Sequence, residues 1–388
     1  MRLGIDSFLS DPPPDLLNKH WGLLSNQASV NREGHYSKDL LWGKFQNNLK
    51  CLFSPQHGFW GTEQDNMVET QDSLDAATGL PLYSLYSATR RPLPWMMEAM
   101  DVLLIDLQDI GSRVYTFITT MAYCIQECAR QGKSVVVLDR PNPIGGRILE
   151  GNILQDSLLS FVGVYALPMR HGLTMGEMAL LLNQEMKIQA NLRVVPLEGW
   201  NRETFFDRCG FPWIMPSPNM PNLSTALVYP GQVLWEGTNI SEGRGTTRPF
   251  ELFGAPFINP LEVRTSLRGY PLPGVRLIDV AFRPTFQKWQ GRECRGFFLW
   301  VYDPAVFKPF YTTMTLMQSL RSLYPEEFKW KDPPYEYETR HLPIDLLIGD
   351  QSIRQALEEG VPPEKLENSW REGLMAFSLL REKYQLYP

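Results

Sequence analysis

The chain has few cysteines, no long apolar run and no cluster of lysine and arginine, and each shortage narrows what it can be. Its five cysteines, Cys51, Cys124, Cys128, Cys209 and Cys294, make an odd count without paired spacing, which does not read as a disulfide framework. Cys124 and Cys128 would share a helical face, where bridge geometry is poor, so all five are expected reduced and mostly buried. No apolar stretch approaches the roughly 20 residues that cross a bilayer, and residues 1–10 contain Asp6 and lack the apolar centre of a secretory signal. No membrane contact is expected. The chain as given reads as cytoplasmic, or as periplasmic or secreted if a leader was removed. A net charge of -6 without a local basic face excludes a nucleic-acid scaffold.

Familiar catalytic signatures are missing too. Gly132-Lys133-Ser134 has the end of a phosphate-binding loop, but Glu127 stands where its first glycine must be. No Gly-x-Gly-x-x-Gly follows a strand, so dinucleotide binding has no support. There is no Gly-x-Ser-x-Gly elbow, no His-Glu-x-x-His and no zinc spacing of Cys or His. No metal and no cofactor is expected.

What is present is one repeated local theme. Trp21–Ser25 leads into Asn26-Gln27, Leu49–Phe53 into Ser54-Pro55-Gln56-His57-Gly58, Val102–Ile105 into Asp106-Leu107-Gln108-Asp109, and Val135–Leu138 into Asp139-Arg140-Pro141-Asn142-Pro143. Apolar runs of four or five residues suit strands buried on both faces of a parallel sheet. Between them, Tyr115–Arg130 carries a helical apolar stripe, and Thr174 with Glu177 forms a capping box opening a helix to Glu185. The alternation predicts an α/β fold, a Rossmann-like doubly wound parallel sheet over residues 1–258. Residues 210–260 are irregular, rich in Pro and Gly. From 259 to 388 a smaller α+β auxiliary domain is expected, with strands at Val275–Phe282 and Gly296–Tyr302 and helices at Phe310–Leu323, Gln351–Glu359 and Pro363–Lys383.

In such sheets ligands bind at the carboxyl ends of the strands, so the polar loops mark a crevice. Its carboxylate, amide, arginine and aromatic content suits a carbohydrate, whose hydroxyls need paired donors and acceptors and whose apolar faces stack on rings. Candidate acids and bases are Glu63, Asp109, Asp139, Glu150, Glu177, Glu236 and Glu242. Glu236 and Glu242 lie close together in a Gly-rich loop and could both face one crevice; equally, either could be held by Arg244. His57 and His171 each precede a glycine. Arg113 and Arg140 are expected to grip a substrate carboxylate, the alternative being an ion pair with Asp109 or Asp139.

These loops, with Asp109-Ile110-Gly111-Ser112-Arg113-Val114-Tyr115-Thr116, Pro216-Ser217-Pro218-Asn219-Met220-Pro221 and Glu236-Gly237-Thr238-Asn239-Ile240-Ser241-Glu242-Gly243-Arg244, resemble the exo-β-N-acetylmuramidase family, formerly a domain of unknown function. The resemblance covers nearly the whole chain. It implies a glycosidase that releases N-acetylmuramic acid from the non-reducing end of peptidoglycan fragments in cell-wall recycling. It implies peptidoglycan-derived disaccharides as partners and no nucleotide or redox cofactor; the oligomeric state is left open. Gln56, His57, Glu236 and Glu242 are the catalytic candidates. Substrate contacts are expected from Asn26, Gln27, Asp109, Arg113, Tyr115, Asp139, Arg140, Asn142, His171, Ser217, Asn219, Asn239, Ser241 and Arg244, with the muramic lactyl carboxylate on Arg113, Arg140 or Arg244. In one place the chain departs from the family: Gln56 stands where the family has glutamate, and an amide cannot deliver a proton. Another carboxyl (Glu63, Glu236 or Glu242) then serves as acid, or cleavage is lytic, or the chain binds sugar without cleaving it.

Overall fold

A computed structural model describes residues 1–65 and 67–388. The larger sheet is built from Trp21–Ser25 (β1), Leu49–Ser54 (β2), Ser73–Leu74 (β3), Pro81–Ser84 (β4), Val102–Asp106 (β5) and Ser134–Leu138 (β6). It is completed, after the hairpin Glu150–Ile153 (β7) and Pro168–Arg170 (β8), by Leu192–Val195 (β9). The strand order is β3-β4-β2-β1-β5-β6-β9, with only β3 antiparallel to its neighbour. Successive side chains of a strand point to opposite faces, and here both faces are apolar. Leu23, Leu52, Leu104 and Val136 enter one core with Ile5 and Phe8 of helix Gly4–Ser10. Leu24, Phe53, Ile105 and Val137 enter another with Met121 and Met178 of helices Phe117–Arg130 and Met175–Glu185. Thr174 caps the latter helix as expected, accepting from Glu177 N. The chain runs outward from β1 in one direction, then returns to add β5 on its other side. The switch point, where ligands gather, therefore lies between β1 and β5.

The second sheet orders Leu252–Ala255 (β10), Val275–Phe282 (β11) and Cys294–Val301 (β12) as β10-β12-β11, antiparallel throughout. Its opening strand lies ahead of the 258/259 division expected from composition. The irregular stretch also hides a helix, Leu223–Gln232, which Pro230 obscures in the sequence pattern. Asn222 caps it by accepting from Thr225 N at 2.9 Å. Gly231 permits its approach to helix Pro309–Leu323, since a Cβ there would lie 1.9 Å from the Pro309 carbonyl oxygen. The single helix expected over 363–383 is two, Pro363–Ser369 and Arg371–Glu382. The break is at Trp370, whose buried ring packs edge-on against Phe310 at 5.4 Å. The chain end returns to the first sheet, where Tyr387 Oη donates to Asp139 at 2.5 Å. All five cysteines are buried and free. No helix is long and apolar enough to cross a membrane among the described residues.

Candidate active site

The loops after β2 and β5 meet the segment 217–250 and the loop at 335–336 around a narrow pocket lined by Gln56, His57, Tyr115, Glu236, Arg244 and Glu336. Rings form one wall: Tyr229 stands edge-on to Tyr115 at 5.9 Å and to Phe250 at 4.8 Å. The free space is about 30 Å³, room for a few waters at most. Three larger cavities border it, of about 490, 560 and 320 Å³, reached past Glu236, Glu336 and His57 respectively.

Gln56 faces a carboxyl that the sequence did not single out. Its Nε2 donates to Glu336 Oε1 at 3.1 Å, and its Oε1 accepts from Thr116 Oγ1 at 2.7 Å. Tyr86 Oη donates to the other oxygen of Glu336 at 2.5 Å. Burial raises the Glu336 pKa, and the charge of Glu236 adds to the rise against these hydrogen bonds and Arg90. Glu336 has φ +45° and Tyr337 φ +68°, left-handed backbone that costs non-glycine residues energy and recurs at functional sites. Glu336 sits in an aromatic loop with no period to mark it; Pro334-Tyr335-Glu336-Tyr337, acid between tyrosines, was the available signal.

Glu236 is the opposite case. It lies on the short 3-10 turn Val233–Gly237, where Arg244 Nη2 donates to one oxygen and Tyr335 Oη to the other, both at 2.6 Å. Burial works to raise its pKa, but Arg244, the Tyr335 hydroxyl and Lys288 outweigh that and hold it below the usual glutamate value. Glu242 stands one step back, 3.4 Å from Arg244 and 2.7 Å from Lys288 Nζ, and opens toward the 490 Å³ cavity. The pocket thus holds one carboxyl pushed toward its neutral form and one held ionised.

His57, at φ +71°, bonds the Glu63 carbonyl through Nδ1 at 2.7 Å, leaving Nε2 free of that bond. Burial, with Arg244 adding, lowers its pKa to about 4 against the Glu63 bond. It is neutral near neutrality and can accept a proton but has none to spare. Residues next to that carbonyl are tied to the pocket and its surroundings. Gln64 O accepts from Asn219 Nδ2 at 2.7 Å and Arg244 Nη1 at 3.2 Å, Asp65 accepts from Gln287, and Tyr337 Oη donates to Met67 O at 3.4 Å. Ser217 and Asn219 also line the pocket.

Other expected contacts lie elsewhere. Arg113 is fully enclosed, donating to the carbonyls of Asn152, Leu167, Leu347 and Ile348 at 2.7–3.1 Å; burial brings its pKa down to about 9. Arg140 clasps Asp106, with Nη2 to Oδ2 at 2.9 Å, rather than Asp109 or Asp139. Neither guanidinium is available to a ligand. Asp139 is buried under Thr174, Gly176 and Tyr387. Asn26 and Gln27 donate to the carbonyls of Pro216 and Met215, both at 2.8 Å. Asn142 holds Leu173 O, and His171 accepts from Leu173 N and lies 3.6 Å from Asp109. Asn239 pins the 327–329 loop, and Ser241 Oγ accepts from Gly243 N. These polar residues build the loops behind the pocket, as Asn, Asp and Ser do in turns. No group of three His, Cys, Asp or Glu is placed to hold a metal ion among the described residues.

The model of the exo-β-N-acetylmuramidase NamZ N-terminal domain matches residues 21–224, and that of its C-terminal domain matches residues 227–387. The peptidoglycan β-N-acetylmuramidase NamZ of Bacillus subtilis (strain 168) is 42% identical over 387 residues, covering 100% of this chain and 91% of that protein. Two crystal structures of DUF1343-family proteins from Bacteroides fragilis NCTC 9343 superpose over the whole chain. One has a TM-score of 0.88 at 32% identity, covering 99% of its own length, and the other 0.76 at 27%, covering 98%. The chain belongs to the exo-β-N-acetylmuramidase NamZ family.

Proposed function

We propose that this protein is an exo-acting β-N-acetylmuramidase, releasing N-acetylmuramic acid from the non-reducing end of peptidoglycan fragments. Glu336 is its proton donor and Glu236 the ionised carboxylate of the same pocket. The carrying observation is the opposed setting of these two groups: burial and a neighbouring negative charge favour the neutral form of Glu336, while Arg244 and Tyr335 favour the charged form of Glu236. Glycoside cleavage needs one carboxylic acid to protonate the leaving oxygen and an anionic group to balance the positive charge that develops at the sugar. Gln56 cannot give a proton, but its amide holds Glu336 in place, so the acid is supplied from the other side of the same hydrogen bond. Tyr115, Tyr229 and Phe250 offer ring faces to the sugar.

The test is incubation with a MurNAc-GlcNAc disaccharide, wild type beside Glu336→Gln and Glu236→Gln. Release of N-acetylmuramic acid by the wild type is expected. Each variant should lose roughly 100-fold or more in kcat, the usual weight of a positioned acid or charge. Clear binding without release would leave a muropeptide-binding protein, and a product one water lighter would mean lytic cleavage. Full activity of Glu336→Gln would remove Glu336 from the mechanism.

A further inference from the structure

A muramic substrate carries a carboxylate that plain N-acetylglucosamine lacks, and the three arginines expected to read it are engaged. Arg113 is spent on carbonyls, Arg140 on Asp106, and Arg244 on Glu236 and Glu242. Arg90 is held differently. Its guanidinium sits in the corner formed by the steeply inclined rings of Tyr86 and Tyr337, 4.4 and 3.9 Å from their centroids, cation–π contacts that hold it in place. One nitrogen donates to the Ser87 carbonyl. Its ion pair with Glu69 is long, 3.5 Å, and the Glu69 side chain is 49% exposed. Its Nε meets no acceptor among the described residues.

The position is equally specific. Arg90 lines a cavity of about 560 Å³ that is bounded on its inner side by Glu336. Tyr86 joins the two, its hydroxyl bonded to Glu336 and its ring stacked on Arg90. On a muramic residue the lactyl ether and the scissile bond belong to one ring, so a receptor for the carboxylate must stand within a sugar's breadth of the proton donor. Arg91, stacked on Tyr123 at 3.7 Å, adds positive charge to the same cavity, although it already reaches Gln126 and Glu127. Glu69 and Glu338 also line it and repel a carboxylate everywhere but at the stacked guanidiniums.

We infer that Arg90 is the specificity residue, gripping the lactyl carboxylate of the non-reducing-end muramic sugar and displacing Glu69 as it does so. The inference rests on the muramidase reading above. The experiment compares wild type, Arg90→Lys and Arg90→Gln on 4-nitrophenyl β-N-acetylmuramide and on its lactyl amide. Calorimetric titration of N-acetylmuramic acid and of N-acetylglucosamine accompanies it. The wild type should prefer the free acid, and Arg90→Gln should raise its KM by roughly 10- to 100-fold, the weight of a charge-assisted pair, with kcat falling much less. The preference for acid over amide should collapse, and Arg90→Lys should restore part of it. If Arg90→Gln discriminates acid from amide as the wild type does, the carboxylate is read elsewhere and the inference is overturned. If nothing is cleaved but N-acetylmuramic acid still binds through Arg90, the muramidase reading fails while the subsite stands.

Discussion

At the scale of the residue, the pair Gln56 and Glu336 decides which side chain of the pocket can give a proton. Placing glutamate at 56 would set a second carboxyl about where the amide now donates to Glu336 at 3.1 Å. Two carboxyls that close share a proton and give it up only at higher pH. The alkaline limb of the kcat/KM profile, which reports the general acid in the free enzyme, should therefore move up by roughly one pH unit or more in Gln56→Glu. An alkaline limb that stays put while activity rises would mean that position 56 itself had taken over as donor. In the wild type the same limb should lie above the ordinary glutamate range, because the Glu336 pKa is raised, and the acid limb below it, because that of Glu236 is lowered. The sequence brought Gln56, Glu236 and Arg244 to notice through loop position and motif. It did not bring Glu336, whose one local mark is its place between two tyrosines and whose bond to Gln56 spans 280 positions. Nor could it choose the partner for Arg140, since Asp139 is its neighbour in the chain while Asp106, which the strand ends place in its fork, lies 34 positions away.

At the scale of the element, the strands and capped helices were legible because their cause is local. A run such as Val102–Ile105 is apolar on both faces, and Thr174 satisfies its own helix. The misreadings came where tertiary packing overrules the local signal, as at Pro230 inside a helix and at Trp370 between two. Arg113 shows the same thing for a side chain: its setting reads as a ligand anchor until the short helix Pro343–Ile348 is seen to end on it. It caps that helix at the carbonyls of Leu347 and Ile348 while also bonding Asn152 and Leu167. A cation at a helix C-terminus is favourable, and the carbonyls of Asn152, Leu347 and Ile348 would lose this donor with it, whereas Leu167 O keeps Leu154 N at 3.1 Å. Arg113→Met should cost roughly 2–4 kcal/mol in urea unfolding, and proteolysis should open first near residue 343, just beyond the Glu336 loop. A variant of unchanged stability but weakened affinity for N-acetylmuramic acid would return Arg113 to the role of substrate anchor.

At the scale of the whole molecule, the α/β sheet and a smaller C-terminal unit follow from alternating strands and helices, but the joints between them do not. Glu150 is such a joint. It lies on hairpin strand β7, and its Oε1 accepts from Tyr311 N, in the first turn of helix Pro309–Leu323, at 2.9 Å. Burial raises its pKa to about 7, against the Tyr311 bond and the charge of Arg170, from an ordinary value of 4.5. The folded chain therefore keeps a proton that the unfolded chain releases between about pH 4.5 and 7. The stability tied to that proton is complete below the ordinary value and is lost as pH rises through about 7. Glu150→Gln can still accept from Tyr311 N and has no proton to lose. Relative to this variant, wild-type stability should decline across that window by up to about 1 kcal/mol per pH unit. Thermal or urea unfolding of both proteins from about pH 4.5 to 8 would measure it. A constant difference between the two curves would mean that Glu150 stays ionised in the folded joint, with Arg170 as its effective counter-charge.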